Sequence, residues 1–95
     1  MENLMEENKF KQWLENEVGL KARSSRDVIS RLKRANRFIN VSLFLTSDHA
    51  IAELSHQPNF QELSYHTKSQ LRRSIKFFFK FRDYNSIVNR ISEKN

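Results

Sequence analysis

The sequence predicts an all-α fold, a compact bundle of four to five helices. The chain of 95 residues has one Gly and one Pro, so it contains few of the residues that form turns between short strands. Its eight Phe residues are large apolar anchors that suit a few long helices. A chain of this length forms one domain and buries roughly 60 to 65% of its unfolded surface. We therefore predict a single domain over residues 1–95, with its ordered core at about residues 4–82.

The first helix is predicted over residues 4–18. Its apolar positions have helical spacing and are Leu4, Phe10, Trp13, Leu14 and Val18. Carboxylates near the start, at Glu2, Glu6 and Glu7, suit the positive end of the helix dipole. Gly19 is predicted to end the helix, because glycine readily adopts the left-handed conformation at a helix C-terminus.

The second helix is predicted to begin at an N-cap on Ser24 or Ser25 and to run to about Ile39. Four apolar positions lie within about 60° of one another on a helical projection, and they are Val28, Leu32, Ala35 and Ile39. The opposite side carries Arg26, Arg31, Lys33, Arg34 and Arg37. These basic residues are therefore expected to face solvent.

Residues 40–47 are apolar but bounded by polar turn formers, and we predict a loop there, with a short strand as the alternative. Ser47 is predicted to cap a short third helix that ends before Pro58, because proline disfavours helix at the preceding residue. Residues 57–63 are expected to be a connector.

The fourth helix is predicted to begin at Ser64 or Tyr65. Its apolar face contains Leu71, Ile75, Phe78, Phe79 and Phe81, and its opposite face contains His66, Ser69, Arg72, Arg73, Lys76 and Lys80. Phe77 falls among the polar positions. Residues 83–95, with Ile87, Val88 and Ile91, are predicted to be a short last helix or the start of a linker. The predicted core includes Trp13, Leu14, Val28, Leu32, Ile39, Leu71, Ile75 and Phe78.

The distribution of charge is the main functional signal. Lys and Arg number 17 against 11 Asp and Glu, which gives a formal net charge of +6. Thirteen of these basic residues lie in segments 21–37 and 68–82, where Asp27 is the only acid. Solvated helix faces usually alternate Glu with Lys, so this arrangement costs stability that a polyanionic partner would offset. Nucleic acid is the favoured partner, and the positive charge is also compatible with an anionic membrane surface or an acidic protein.

Other classes of chemistry have little support in the sequence. The absence of Cys excludes disulfides and thiolate metal sites, and no stretch approaches the 18 apolar residues of a membrane span. We therefore expect a soluble, cytoplasmic protein without membrane contact. His49, Glu53 and His56 share one side of the third helix, but surface hydrogen bonding explains them better than a metal does. Tyr65 and Tyr84 lack accompanying bases in the sequence, so no catalytic residue and no cofactor is predicted.

Three stretches together resemble the N-terminal core-binding domain of tyrosine recombinases, the SAM-like domain of phage integrases. They are Phe10-Lys11-Gln12-Trp13-Leu14, Ser24 through Ile39, and Ser69 through Phe81, within a likeness that covers roughly residues 8–82. The resemblance implies a bundle arranged as two crossed helical hairpins that clamps one side of a DNA duplex. It implies that a larger C-terminal domain clamps the other side and supplies the catalytic Arg, His, Arg and Tyr.

The resemblance implies a DNA-binding role for exposed basic residues of the second and fourth helices. Those residues are Arg26, Arg31, Lys33, Arg34 and Arg37, and Lys68, Arg72, Arg73, Lys76 and Lys80. The expected partners are double-stranded DNA and either a C-terminal catalytic domain or recombinase protomers. This chain contains no such catalytic set, so we expect either a fragment of a recombinase or a free-standing relative. The alternative is a protein-interaction or regulatory module of a mobile element that docks an acidic partner.

Overall fold

In the computed structural model, all regular secondary structure within residues 4–94 is helical, which confirms the predicted all-α bundle. The structure describes the backbone of residues 4–94 and the side chains of residues 6–88. Glu2 and the side chains of Leu4 and Ile91 therefore lie outside the described residues. The helices are α1 (Leu4–Trp13), α2 (Ala22–Ala35), α3 (Ser47–Ser55), α4 (Pro58–Gln61) and α5 (Tyr65–Lys94), with a π-helical turn at Leu14–Val18 and a 3-10 turn at Val41–Leu43.

The first helix ends at Gly19, as predicted. α1 widens into the π-helical turn, and Gly19 then adopts a left-handed conformation with φ of 89°. The amides of Gly19 and Leu20 both donate to the carbonyl oxygen of Leu14, the latter at 2.9 Å. An added Cβ at Gly19 would meet nothing within 4 Å, so the backbone conformation alone favours glycine here.

The predicted N-cap and C-terminus of the second helix are wrong. α2 begins at Ala22, after an extended N-cap at Lys21, and Ser25 is buried inside it. The Ser25 hydroxyl lies 2.9 Å from the Ala22 carbonyl oxygen and 3.0 Å from Glu15 Oε2, so it serves the packing of the helix against the π-helical turn. The helix ends at Ala35, because Asn36 leads into a turn and its side chain accepts the amide hydrogen of Val41 at 3.0 Å.

The segment between α2 and α5 contains one more helix than predicted. Residues 40–46 form the predicted loop, but Thr46, not Ser47, caps α3 by accepting the amide hydrogen of His49 at 3.2 Å. α3 ends before Pro58, as expected. The predicted connector at 57–63 instead contains α4, in which Pro58 occupies the first turn, where its missing N–H is not needed.

α5 is one continuous helix of 30 residues, so residues 83–94 are neither a separate short helix nor a linker. At 1.5 Å per residue it is about 45 Å long, close to the 49 Å long axis of the molecule. Phe10 and Trp13 of α1 pack against Phe81, with ring centroids at 5.2 and 5.9 Å. α2 makes the most extensive contact with α5, and α3 packs along another side of it.

The core contains six of the eight predicted residues as buried side chains: Leu14, Val28, Leu32, Ile39, Leu71 and Ile75. Trp13 and Phe78 are only partly buried and pack against its edge, because both lie where α1 leaves α5 partly uncovered. Phe77 is also half-buried at this edge. Fully enclosed side chains that were not predicted include Phe10 of α1 and Phe60 of α4.

We expect Leu32→Ala and Phe10→Ala each to lower the free energy of unfolding by about 2 to 5 kcal/mol, because each leaves a cavity in the core. Such a loss is a large fraction of the stability of a small domain. Phe78→Ala should cost less, because Phe78 is already partly exposed. Urea denaturation followed by circular dichroism measures the three values, and an equal loss at Phe78 and Phe10 would contradict the packing.

The two buried serines provide a matched pair. The Ser74 hydroxyl of α5 is buried without a hydrogen-bond partner among the described residues, whereas the Ser25 hydroxyl has two acceptors within reach. Ser74→Ala should leave the free energy of unfolding unchanged or raise it by up to about 1 kcal/mol, since an unsatisfied polar group is removed. Ser25→Ala should lower it by about 1 kcal/mol. The same denaturation experiment tests this difference in sign.

Candidate nucleic-acid interface

The basic side of α2 follows from the packing of its other side. Ser25, Val28, Ile29, Leu32 and Ala35 are buried against the rest of the bundle. Helical periodicity then directs the intervening residues into solvent, and most of these are Arg or Lys. The exposed or half-buried basic residues are Arg23, Arg26, Arg31, Lys33 and Arg34.

A groove of about 330 Å³ runs between the C-terminal half of α2 and the first turns of α5. Four of the predicted site residues line it: Arg31, Lys33, Arg34 and Arg37. The other lining residues are Ser30, Thr67, Gln70 and Leu71, all of them uncharged. No carboxylate lines this groove, which we call the α2–α5 groove, so its electrostatic potential is positive.

These four basic residues differ in whether they form a salt bridge within the protein. Lys33 Nζ lies 2.8 Å from Glu7 Oε1 of α1, so this lysine is partly neutralised within the protein. Among the side chains of residues 6–88, Arg31, Arg34 and Arg37 have no carboxylate within salt-bridge distance. The three guanidinium groups are therefore available to an external anion.

α5 presents a second group of predicted residues on its open face. Arg73, Lys76 and Lys80 are exposed and lie at a spacing of three and four residues, which places them on one side of the helix. The Arg73 guanidinium stacks on the half-buried Phe77 ring at 4.9 Å, which holds it in place. We call these three residues the α5 stripe.

The other three predicted residues have local roles within the fold. Lys68 and Arg72 lie over the ring of Phe60, at 5.9 and 5.7 Å from its centroid, and help to cover this core aromatic ring. Arg26 lines a different depression together with Glu7, Lys11 and Ile29, where charges of both signs occur. The structure therefore places Arg26, Lys68 and Arg72 outside the α2–α5 groove and the α5 stripe.

Sequence reasoning missed the role of Arg82. Its Nη1 donates to the carbonyl oxygen of Phe44 at 3.0 Å, and its guanidinium lies 4.8 Å from the centroid of the Phe79 ring. Arg82 thus ties the loop before α3 to α5. The sequence signal was the spacing of three residues between Phe79 and Arg82, which puts an aromatic ring within reach of the guanidinium.

The other polar residues near these surfaces differ in their surroundings. Ser30 lines the α2–α5 groove and Ser69 is exposed on α5, whereas Asn36 is used by the Val41 amide. His49 packs edge to face against Phe44, and no cluster of three or more potential metal ligands occurs among the described residues. The Tyr84 hydroxyl donates to Glu17 at 3.4 Å, and Tyr65 is 81% exposed.

Comparison with known proteins does not assign a family. No family model, curated protein or solved structure matches the chain. The resemblance to recombinase core-binding domains therefore stays a prediction. Within the described part of the chain, no helix combines the length and the apolar character needed to cross a membrane.

Proposed function

We propose that this protein binds duplex DNA through the α2–α5 groove, with the α5 stripe as a second region of phosphate contact. The observation that carries the proposal is the groove itself: among the side chains of residues 6–88, Arg31, Arg34 and Arg37 have no counterion, and no acid lines the walls. A rigid group of basic side chains suits phosphates, because each neutralised phosphate releases counterions and so adds affinity.

The chemistry of the groove fits phosphodiester oxygens better than a diffuse positive surface would. A guanidinium presents several N–H donors in a fixed plane and binds phosphate oxygens in a bidentate way. Ser30, Thr67 and Gln70 add neutral donors beside the arginines, and such groups commonly bond to the DNA backbone. Base reading requires additional contacts, so the groove accounts for affinity and orientation.

The role that this interface suits is that of a recombinase-type core-binding domain, which contacts DNA without cleaving it. In that role the chain acts together with a C-terminal catalytic domain or with recombinase protomers, which supply the nucleophile. The support is the exposed position of the basic residues on the second and the last long helix, the two helices that the resemblance favours for DNA contact. We assign no step of DNA cleavage to this chain.

The proposal predicts a steep dependence of affinity on salt. If four to six phosphates are neutralised, the slope of log K against log salt concentration should be about −4 to −5, because each phosphate contributes roughly −0.9. Raising the salt from about 50 to 200 mM should weaken binding several hundredfold. Fluorescence anisotropy with a labelled duplex measures the slope, and a slope near zero would show that phosphate contacts do not drive binding.

Charge reversal at the groove should distinguish a local interface from attraction by net charge. Arg34→Glu with Arg37→Glu should weaken duplex binding about a hundredfold at moderate salt, because two phosphate contacts become repulsive. Lys76→Glu with Lys80→Glu should weaken it less, because Asp83 lies beside these lysines. Circular dichroism should show unchanged helicity, since all four side chains are exposed.

Lys9→Glu with Lys11→Glu is the matched control, because it changes the net charge by the same amount on α1. These lysines lie outside the α2–α5 groove, and Lys11 is close to Glu15, at 3.6 Å. The control should lose several-fold in affinity at most. Equal losses in all three double variants would mean that only the net charge matters, and the proposed interface would then be wrong.

A further inference from the structure

The loop between α2 and α3 exposes two leucines. Leu43 and Leu45 are 76% and 87% exposed, although the side chain between them, Phe44, is half-buried. Two aliphatic side chains exposed to water gain none of the stabilisation that burial gives. Exposed apolar residues that lie close together, beside a groove, are a feature of interaction surfaces.

The loop is fixed in place, so the leucines are presented in a defined geometry. The Val41 amide donates to Asn36 Oδ1 at 3.0 Å, the Phe44 carbonyl oxygen accepts from Arg82 at 3.0 Å, and Thr46 caps α3. Phe44 has an extended conformation with φ of −92° and ψ of 148°. Phe44 is half-buried in this conformation, while Leu43 before it and Leu45 after it are both exposed.

A groove of about 300 Å³ begins at Leu45 and continues along α5. Its apolar part is formed by Leu45 and Phe79, and its charged part by Lys76, Lys80 and Asp83. The two lysines are four residues apart and therefore lie one helical turn from each other. The site thus combines exposed leucines, an apolar floor and two adjacent positive charges.

We propose that this site, formed by Leu43, Leu45 and the groove beside α5, docks an acidic amphipathic helix of another protein. The apolar stripe of such a helix would cover the leucines, and its carboxylates would face Lys76 and Lys80. Asp83 at one end of the groove favours a basic residue at the corresponding end of the partner helix, which gives the helix a preferred direction. Helices laid in apolar grooves are a common mode of recognition.

Charge and shape favour this occupant over two others. A second copy of the chain carries a net charge of +6 and is repelled by a site that contains two lysines. A membrane surface is flat and would not fill the groove between Leu45 and α5. A partner helix fills the groove and neutralises both lysines.

The site overlaps the proposed DNA interface only at Lys76 and Lys80. The α2–α5 groove contains neither residue, so a docked partner leaves Arg31, Arg34 and Arg37 free. Docking of the partner helix does not require DNA binding, because the leucines have no role in phosphate contact.

The test uses NMR titration of the full chain with a designed helical peptide that has a leucine stripe flanked by glutamates. The control peptide has lysines in place of the glutamates. We expect shift changes at Leu43, Leu45, Lys76 and Lys80 with the acidic peptide and weaker ones with the basic peptide. Leu43→Ser with Leu45→Ser should weaken binding of the acidic peptide about tenfold or more, since apolar contact area is lost, while duplex DNA affinity stays unchanged.

Tyr65→Ser is the matched control for loss of an exposed apolar side chain. Tyr65 is 81% exposed and lies 11 residues from Lys76 on α5, about 16 Å along the helix, so the variant should bind the acidic peptide normally. Absence of binding at about millimolar peptide, or equal binding by the double leucine variant, would overturn the proposal. It would also be overturned if the leucines were needed instead for self-association in sedimentation or for binding to anionic lipid vesicles.

Discussion

The placement of every functional residue depends on how α5 is covered. This helix has buried residues pointing in more than one direction, with Leu71 and Ile75 towards the centre and Phe79 and Phe81 towards α3 and α1. A helix with apolar residues over so wide an arc must be packed on two sides. α1 and α2 cover one side and α3 another, so between Leu71 and Phe81 only one face of α5 remains open to solvent. The α5 stripe occupies that face.

The basic residues of this chain fall into two physical classes. Arg82, Arg72 and Lys68 are half-buried over aromatic rings of the core or its edge, so their charges are partly committed to stabilising the fold. Arg73 also lies over a ring, that of Phe77, but its side chain is exposed. Arg34 and Arg37 contact no ring among the described residues and have no salt bridge there. The net charge of +6 is therefore larger than the positive charge that is available to a polyanion. The lining of a groove identifies that surface better than the net charge does.

Composition is sufficient to predict the fold class, helical periodicity the exposed side of α2, and the conformational preference of glycine the end of the first helix at Gly19. The errors arose where tertiary contacts compete with local preference. Ser25 is a good N-cap by propensity, but Glu15 and the packing of α2 against the π-helical turn place it inside the helix. Pro58 predicts an interruption and so places Phe60 in a connector, but the contact with Phe38 and the cover supplied by Arg72 and Lys68 make Phe60 part of the core. The α5 wall of the groove, at Thr67 and Gln70, has no sequence signal of its own.

The positions of the acidic residues support the proposed role of the arginines in the α2–α5 groove. The chain has 11 acidic residues, and Glu7 pairs with Lys33 even though Arg34, the next residue, has no such partner among the described side chains. The lack of counterions for the groove arginines among the described side chains is therefore a matter of placement and not of supply. Glu6, Glu7, Glu15 and Glu17 all lie on α1 and its π-helical turn, while the groove is formed by α2 and α5. Such a separation of charge turns the basic side of a molecule towards a polyanion as the two approach, so in the proposed binding mode α1 orients the approach to DNA without being part of the interface.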